Sequence, residues 1–144
     1  MLKGISPRLN SDMLWLLNNM GHGDMVLICD AHYPATSAND NVVQATGNNL
    51  DDLIEAILPL FELDNYVESS AYMMIPAKGD ALDPVLTQKC KDLLAPSLPK
   101  GQEIKFVERF EFYEMGRNAF GIIASSDIRK YANIILTKGV TPII

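Results

Sequence analysis

A chain of 144 residues is long enough to bury a substantial core, and a composition of 48% hydrophobic and 21% charged residues excludes a disordered or fibrous protein. Twelve basic and eighteen acidic residues give a net charge of -6, which argues against nucleic-acid binding because that binding relies on clustered cations. The start lacks the apolar stretch of a signal peptide, and nowhere do about 18 apolar residues follow one another. We therefore expect one cytoplasmic domain over residues 1–144, with no membrane segment.

The first half of the chain predicts two helices separated by strands. Asn10, Ser11 and Asp12 are capping residues, and Gly21 is a stop signal, so they bracket an amphipathic helix. The run MVLIC is continuously apolar, which is typical of a strand covered on both faces. The expected elements are a helix over 11–20, a strand over 25–29, a polar loop over 30–40, a short strand over 41–46, a helix over 50–61 that Pro59 strains near its end, and a strand over 71–76.

The second half continues the alternation. Asp83 followed by Pro84 is the expected start of a helix, with proline at its first position. The expected elements are that helix to residue 94, a strand over 104–107, a short helix over 110–117, a strand over 120–124, a capped helical turn over 125–132 and a strand over 134–137. Strands interleaved with helices predict an α/β fold, specifically a three-layer α/β/α domain.

The chain has two histidines, His22 in GHGD and His32 in DAH. Glycines beside His22 leave its imidazole accessible, and an ordinary pKa near 6.5 suits that ring to move protons near neutrality. His22 is therefore a candidate acid/base. The pattern also fits a histidine that only ends a helix, where partial positive charge favours the helix dipole.

A metal site is the alternative reading of the same region, since His22, Asp24, Asp30 and His32 are all possible ligands. A five-residue strand separates the two groups and spans about 16 Å at roughly 3.3 Å per residue. One copy of this segment therefore cannot close a single coordination sphere, and no metal or cofactor is expected. If His22 and Asp30 serve one pocket, different copies of the chain should supply them.

Two segments near the end of the chain carry polar and aromatic side chains together. RFEFYE places Arg109 four residues before Tyr113, and KYAN adds Tyr131 and Asn133. Sugar pockets use planar donors and acceptors for hydroxyls and aromatic rings against C–H faces. Taken alone, these aromatics also fit ordinary core and surface positions. The common motifs of nucleotide, hydrolase and zinc chemistry do not occur.

Taken together, several motifs in order closely resemble the ribose pyranase and fucose mutarotase family (RbsD/FucU), and the resemblance covers nearly the whole chain. The motifs are MLKGISP, MGHGD, DAHYPA, PLFELDNYVES, RFEFYE and KYANIILTKGV. The resemblance implies a three-layer α/β/α fold with a mixed sheet. It also implies ring-like homo-oligomers, typically decamers of two pentameric rings, which bind the sugar between neighbouring subunits without a cofactor.

The resemblance assigns roles position by position. It implies His22 as the catalytic proton donor and Tyr113 as a second catalytic residue, and it implies sugar binding by Asp30, Asp64, Met74, Arg109, Tyr131 and Asn133. Arg109 within RFEFYE resembles the fucose branch. The family's YGN reads YAN here, with Ala132 in place of glycine. If that position requires a positive φ, alanine costs about 1 kcal/mol and disturbs its neighbours.

The expected function is that of an isomerase that interconverts the α and β anomers of a monosaccharide, with L-fucose as the expected sugar. In this hypothesis His22 donates a proton to the ring oxygen, Tyr113 or Tyr131 assists, and Asp30 and Arg109 hold hydroxyls. The alternatives are a D-ribose pyranase, a non-catalytic sugar-binding protein linked to sugar transport, and a metal-dependent sugar isomerase.

Overall fold

A mixed six-stranded sheet forms the middle of the molecule. The computed structural model describes residues 1–144, and the strand order is β2-β5-β1-β6-β3-β4. β6 runs antiparallel to both of its neighbours, whereas the remaining pairs are parallel. The strands are β1 (Met25–Cys29), β2 (Val42–Ala45), β3 (Ala71–Met74), β4 (Lys105–Val107), β5 (Gly121–Ser125) and β6 (Ile134–Thr137). The expected mixed sheet is confirmed.

Helices cover both faces of this sheet. Val26 and Ile28 of β1 pack with Leu53 on one face, and the alternate residue Leu27 packs with Phe112 on the other. This alternation follows from the two-residue period of a strand. The helices are α1 (Ser11–Asn19), α2 (Ala35–Ala38), α3 (Leu50–Ile57), α4 (Pro84–Leu94) and α5 (Arg109–Asn118). The three-layer α/β/α prediction is confirmed, and no helix has the length and apolar character needed to cross a membrane.

Side-chain caps define where the helices begin. The Asn10 side chain accepts a hydrogen bond from the backbone of Met13 at the start of α1, and Asp83 accepts two at the start of α4. Glu108 caps α5 in the same way. Each cap satisfies backbone N–H groups that have no partner inside the helix. The starts of α1 and α4 that were predicted from capping residues are therefore confirmed to within one or two residues.

Three local predictions were wrong. The polar loop over 30–40 contains the short helix α2, and the predicted helix over 50–61 ends at Ile57, where a 3-10 turn from Leu58 to Leu60 carries Pro59. The predicted helical turn over 125–132 is an irregular loop. Its backbone is held by side chains instead, because the Asp127 carboxylate accepts hydrogen bonds from the backbone of Leu50 and Arg129.

Charged groups tie the irregular loop between β5 and β6 to α3, and the same carboxylate of α3 is paired with α4. Arg129 binds Asp127 of the same loop and lies 2.7 Å from Asp51 of α3. Lys89 of α4 lies 2.7 Å from the other oxygen of Asp51. Burial alone would raise the pKa of Asp51, but the hydrogen bonds from Lys89 and Arg129 outweigh it and lower that pKa to about 2. The loop that precedes Asn133 is therefore anchored to α3.

This anchoring predicts a dependence of stability on acid. The folded-state pKa of Asp51 lies below its ordinary value of 3.8, so its stabilisation is complete above about pH 4 and is lost as the pH falls towards 2. The expected loss is about 2 kcal/mol in the free energy of unfolding. Urea unfolding between pH 2 and 7 measures it.

A matched pair of variants isolates the source of that dependence. Arg129→Gln should flatten the fall between pH 4 and 2, because the Asp51 pKa then returns towards its ordinary value. Arg8→Gln is the control, because it removes a half-exposed ion pair with Asp52 of α3. It should change the pH dependence of the unfolding free energy very little. Equal pH profiles for wild type and Arg129→Gln would contradict the assignment.

Candidate active site

His22 lies at the tip of a tight turn between α1 and β1. The backbone N–H of Gly21 donates to the Asp24 carboxylate at 2.7 Å, and Gly23 adopts a φ of 87°, a conformation that glycine enters without steric cost. The N–H of Gly23 donates to the carbonyl of Lys138, which joins the turn to the end of β6. These hydrogen bonds hold the turn against β6, and the His22 side chain is 46% exposed.

A buried carboxylate orients the His22 ring. His22 Nε2 lies 3.1 Å from Oδ1 of Asp64, whose side chain is only 3% exposed, and the same oxygen accepts the N–H of Tyr66. Since an ionised carboxylate can only accept, Nε2 carries the hydrogen and Nδ1 remains free for a ligand. The Tyr66 ring packs against the imidazole with the ring centres 5.1 Å apart. The arrangement can present one imidazole nitrogen for proton exchange.

A cavity of about 340 Å³ lies at the other end of β1. It brings together most of the sugar-binding residues that the sequence predicted, together with polar neighbours that it did not. The lining residues are Asp30, His32, Tyr33, Pro34, Met74, Asp80, Tyr113, Lys130, Tyr131 and Asn133. Its size is that of a small-molecule site.

Asp30 and Asn133 form a locked pair in the wall of this cavity. Oδ1 of Asp30 accepts the N–H groups of His32 and Tyr33, each at 2.9 Å. Asn133 accepts the N–H of Asp30 at 2.8 Å and donates to its Oδ2 at 3.1 Å. The Asp30 residue is only 4% exposed, and these contacts supply the hydrogen bonds that its buried carboxylate needs. Oδ2 keeps the capacity to accept a hydroxyl from a ligand.

Tyr131 has an unusual backbone conformation. Its φ is 61°, in the left-handed region, and it is the only residue other than glycine with a positive φ. Its hydroxyl accepts the N–H of Ala77 at 3.1 Å and donates to Asp80 at 3.0 Å. Ala132 is fully buried and has no positive φ. The strain considered for alanine at position 132 therefore does not arise, because the left-handed residue is the preceding one.

Two of the predicted groups lie away from the cavity. His22 and Asp64 form their pair near the start of β1, whereas the cavity lies beyond its end. Arg109 is exposed at the first position of α5, with its guanidinium 4.6 Å from the centre of the Phe110 ring, and it does not line the cavity. No group of three or more His, Cys, Asp or Glu side chains lies close enough to share one metal ion.

Tyr33 lines the cavity and buries its hydroxyl end beneath α5. Its hydroxyl is buried without a hydrogen-bond partner, against Gly116 of α5. Burial, with smaller contributions from Cys29 and Tyr113, raises the pKa of Tyr33 to about 12. The phenol therefore stays protonated near neutrality and acts as packing. The sequence offered no signal for this contact, because Tyr33 and Gly116 are far apart in the chain and meet only after folding.

The same contact predicts why position 116 is glycine. A Cβ there would collide with the Tyr33 hydroxyl and would lie 3.2 Å from Leu27 Cδ2. Gly116→Ala should lower the free energy of unfolding, because overpacking costs about 1–3 kcal/mol and the gain in helix propensity is only about 1 kcal/mol. Urea denaturation measures the difference.

Tyr33→Phe provides the matched background. It removes the unpaired hydroxyl, so Gly116→Ala should cost at least about 1 kcal/mol less in that background than in wild type. Tyr33→Phe alone should change the free energy of unfolding very little. Equal costs in the two backgrounds would show that the hydroxyl is not the obstacle.

We compared the chain with known protein families and proteins. Residues 3–141 match the RbsD / FucU transport protein family. The chain belongs to this family. It is 43% identical over 144 residues to the L-fucose mutarotase of Haemophilus influenzae, with complete coverage of both chains. It is 39% identical over 143 residues to the L-fucose mutarotase of Histophilus somni, with 99% of each chain covered.

Solved structures of the RbsD/FucU family agree with the fold. The fucose mutarotase of Streptococcus pneumoniae, crystallised in complex with L-fucose, superposes with a TM-score of 0.92 and 35% identity over 98% of this chain and 100% of that one. RbsD of Bacillus subtilis, complexed with D-ribose, gives a TM-score of 0.77 at 23% identity over 99% of this chain and 100% of that one. The second comparison bears on the fold alone. The expected membership of the RbsD/FucU family, on its fucose side, is confirmed.

Proposed function

We propose that this protein is an L-fucose mutarotase, an isomerase that speeds exchange between the α and β anomers. The observation that carries the proposal is the His22–Asp64 pair, in which one imidazole nitrogen is held and the other is free. Full-length similarity to L-fucose mutarotases supports the choice of sugar. Such a reaction needs only proton transfer and rotation about one bond, for which positioned side chains suffice.

In the proposed mechanism, His22 reacts as the imidazolium, whose Nδ1–H gives its proton to the ring oxygen of the sugar. The anomeric hydroxyl passes its proton to the Tyr113 hydroxyl, which releases its own proton to solvent. The bond between the anomeric carbon and the ring oxygen breaks, and an open aldehyde forms. The aldehyde rotates and recloses on either face as both protons return. Asp64 accepts from Nε2–H throughout, so positive charge on the ring always lies beside a carboxylate.

We place the sugar against the cavity at the end of β1. Asp30 Oδ2 accepts a sugar hydroxyl, and Asn133 keeps that oxygen in place. Met74 offers an apolar wall. Tyr113 lines the same cavity and has no hydrogen bond to its hydroxyl within the chain, so it is the tyrosine free to exchange a proton with the sugar. Arg109 remains a proposed sugar contact at the edge of α5.

A site shared between copies of the chain follows from the separation of the two halves. β1 spans about 16 Å at roughly 3.3 Å per residue, with His22 before its start and Asp30 after its end. We propose that His22 of one subunit reaches the Asp30 cavity of its neighbour. A ring-like homo-oligomer, specifically a decamer of two pentamers, would repeat this contact. We also propose that residues 1–144 form one domain and that the protein is cytoplasmic.

Saturation-transfer NMR on L-fucose tests the activity directly. The protein should increase the exchange rate between the two anomers, and treatment with EDTA should leave that rate unchanged. D-ribose, followed for exchange between its pyranose and furanose forms, tests the pyranase alternative. Line broadening of L-fucose without faster exchange would overturn the proposed mutarotase activity and indicate a sugar-binding protein. A loss of exchange on treatment with EDTA would indicate a metal-dependent isomerase.

A further inference from the structure

The cavity contains a second carboxylate, Asp80, in the loop between β3 and α4. Gly79 turns this loop with a φ of 85°, and the N–H of Asp80 donates to the carbonyl of Ala77 at 2.9 Å. Asp80 Oδ1 accepts the N–H of Ala81 at 3.0 Å. The turn therefore fixes the direction of the carboxylate, whose second oxygen faces the segment of chain before β6.

Asp80 Oδ2 contacts two residues of that segment. It accepts the hydroxyl of Tyr131 at 3.0 Å and lies 3.3 Å from Nζ of Lys130. The N–H of Ala81, the Tyr131 hydroxyl and the Lys130 ammonium, in that order, hold the pKa of Asp80 below its usual value. Asp80 is consequently an anion at neutral pH, and the proton of the Tyr131 phenol is committed to it.

The hydrogen bonds of the Tyr131 oxygen determine what it can offer a ligand. A hydroxyl has one proton and two acceptor positions. The proton goes to Asp80, and one acceptor position takes the N–H of Ala77. Only an acceptor position remains, so a sugar hydroxyl that meets Tyr131 must donate to it. Asp30 Oδ2, elsewhere in the same cavity, is also an acceptor.

The backbone of Tyr131 makes this support necessary. A φ of 61° is unfavourable for any residue with a Cβ, and it persists only where surrounding contacts hold it. Asp80 and Ala77 supply both hydrogen bonds to the end of that side chain. Without Asp80 the phenol regains a free proton, and the residue loses one of its two anchors.

We propose that Asp80 is a positioning residue for sugar binding, which acts through Tyr131 by fixing its phenol as a hydrogen-bond acceptor for one hydroxyl of the sugar. The inference rests on the proposed function, since it assumes that the sugar occupies this cavity. It assigns Asp80 a role in KM and none in the proton transfer itself, which leaves Tyr113 as the tyrosine with an available proton.

Four variants test this role through the concentration dependence of L-fucose anomer exchange. Asp80→Ala should raise KM about tenfold, the usual effect of losing one charge-assisted hydrogen bond, with kcat within about twofold. The amide oxygen of Asp80→Asn can still accept a hydrogen bond from the phenol, so its KM should lie closer to that of wild type. In Tyr131→Phe, a further Asp80→Ala change should raise KM by no more than about twofold. Asp92→Asn, an exposed residue of α4 paired with Gln88, is the control.

Additive effects of Asp80→Ala and Tyr131→Phe on KM would overturn the proposal, because Asp80 would then contact the sugar independently. A fall in kcat with unchanged KM would also overturn it. These outcomes are separate from failure of the proposed function, which would appear as wild-type protein without faster exchange. In that case the same variants are compared by their Kd for L-fucose from NMR titration, where the same non-additivity is expected.

Discussion

His22→Ala is expected to slow L-fucose anomer exchange by about 10²- to 10⁴-fold, the contribution that one positioned acid/base group makes. The change removes the only exposed imidazole nitrogen that a buried carboxylate orients. It leaves the cavity around Asp30 intact, since that cavity is built from the opposite end of β1. Saturation-transfer NMR at saturating L-fucose measures the rate.

Two further variants make the His22 result specific. Asp64→Asn keeps an oxygen that can accept from Nε2 but removes the charge, so a loss of about tenfold is expected. Asn18→Ala alters an exposed residue of the neighbouring helix α1 and should leave the rate within about twofold. A folded His22→Ala protein that exchanges anomers at the wild-type rate would remove His22 from the mechanism.

Mixed oligomers of His22→Ala and Asp30→Ala subunits should recover activity that neither variant has alone. If each site takes His22 from one subunit and Asp30 from its neighbour, random mixing rebuilds about one quarter of the sites. The separation along β1 is the physical reason, because one chain cannot bring both side chains to one small sugar.

Co-expression of the two variants with different affinity tags provides the mixed oligomers. Sequential purification on both tags keeps only particles that contain both subunits. The control is a mixture of His22→Ala with His22→Ala carrying the second tag, which should stay inactive. Mixed particles without recovered exchange, from variants that fold and assemble, would exclude a site shared in this way.

The sequence determined the framework of this protein. Capping residues placed the starts of α1 and α4 within one or two residues, and apolar runs located the strands, because those signals act over a single turn or strand. The motif around His22 identified an accessible imidazole, and the five-residue strand after it separated His22 from Asp30. Resemblance of ordered motifs supplied the family, which the similarity to L-fucose mutarotases confirmed.

Only the tertiary structure decided how the site residues work. The partnership of His22 with Asp64, the support of Tyr131 by Asp80 and the packing of Tyr33 on Gly116 all join positions more than 40 residues apart. No local pattern records such contacts, because they exist only after folding has brought distant segments of the chain together. The loop over 125–132 shows the same limit. Its composition favoured a helical turn, but in the folded chain Asp127 accepts a hydrogen bond from Leu50 and Arg129 pairs with Asp51, both on α3.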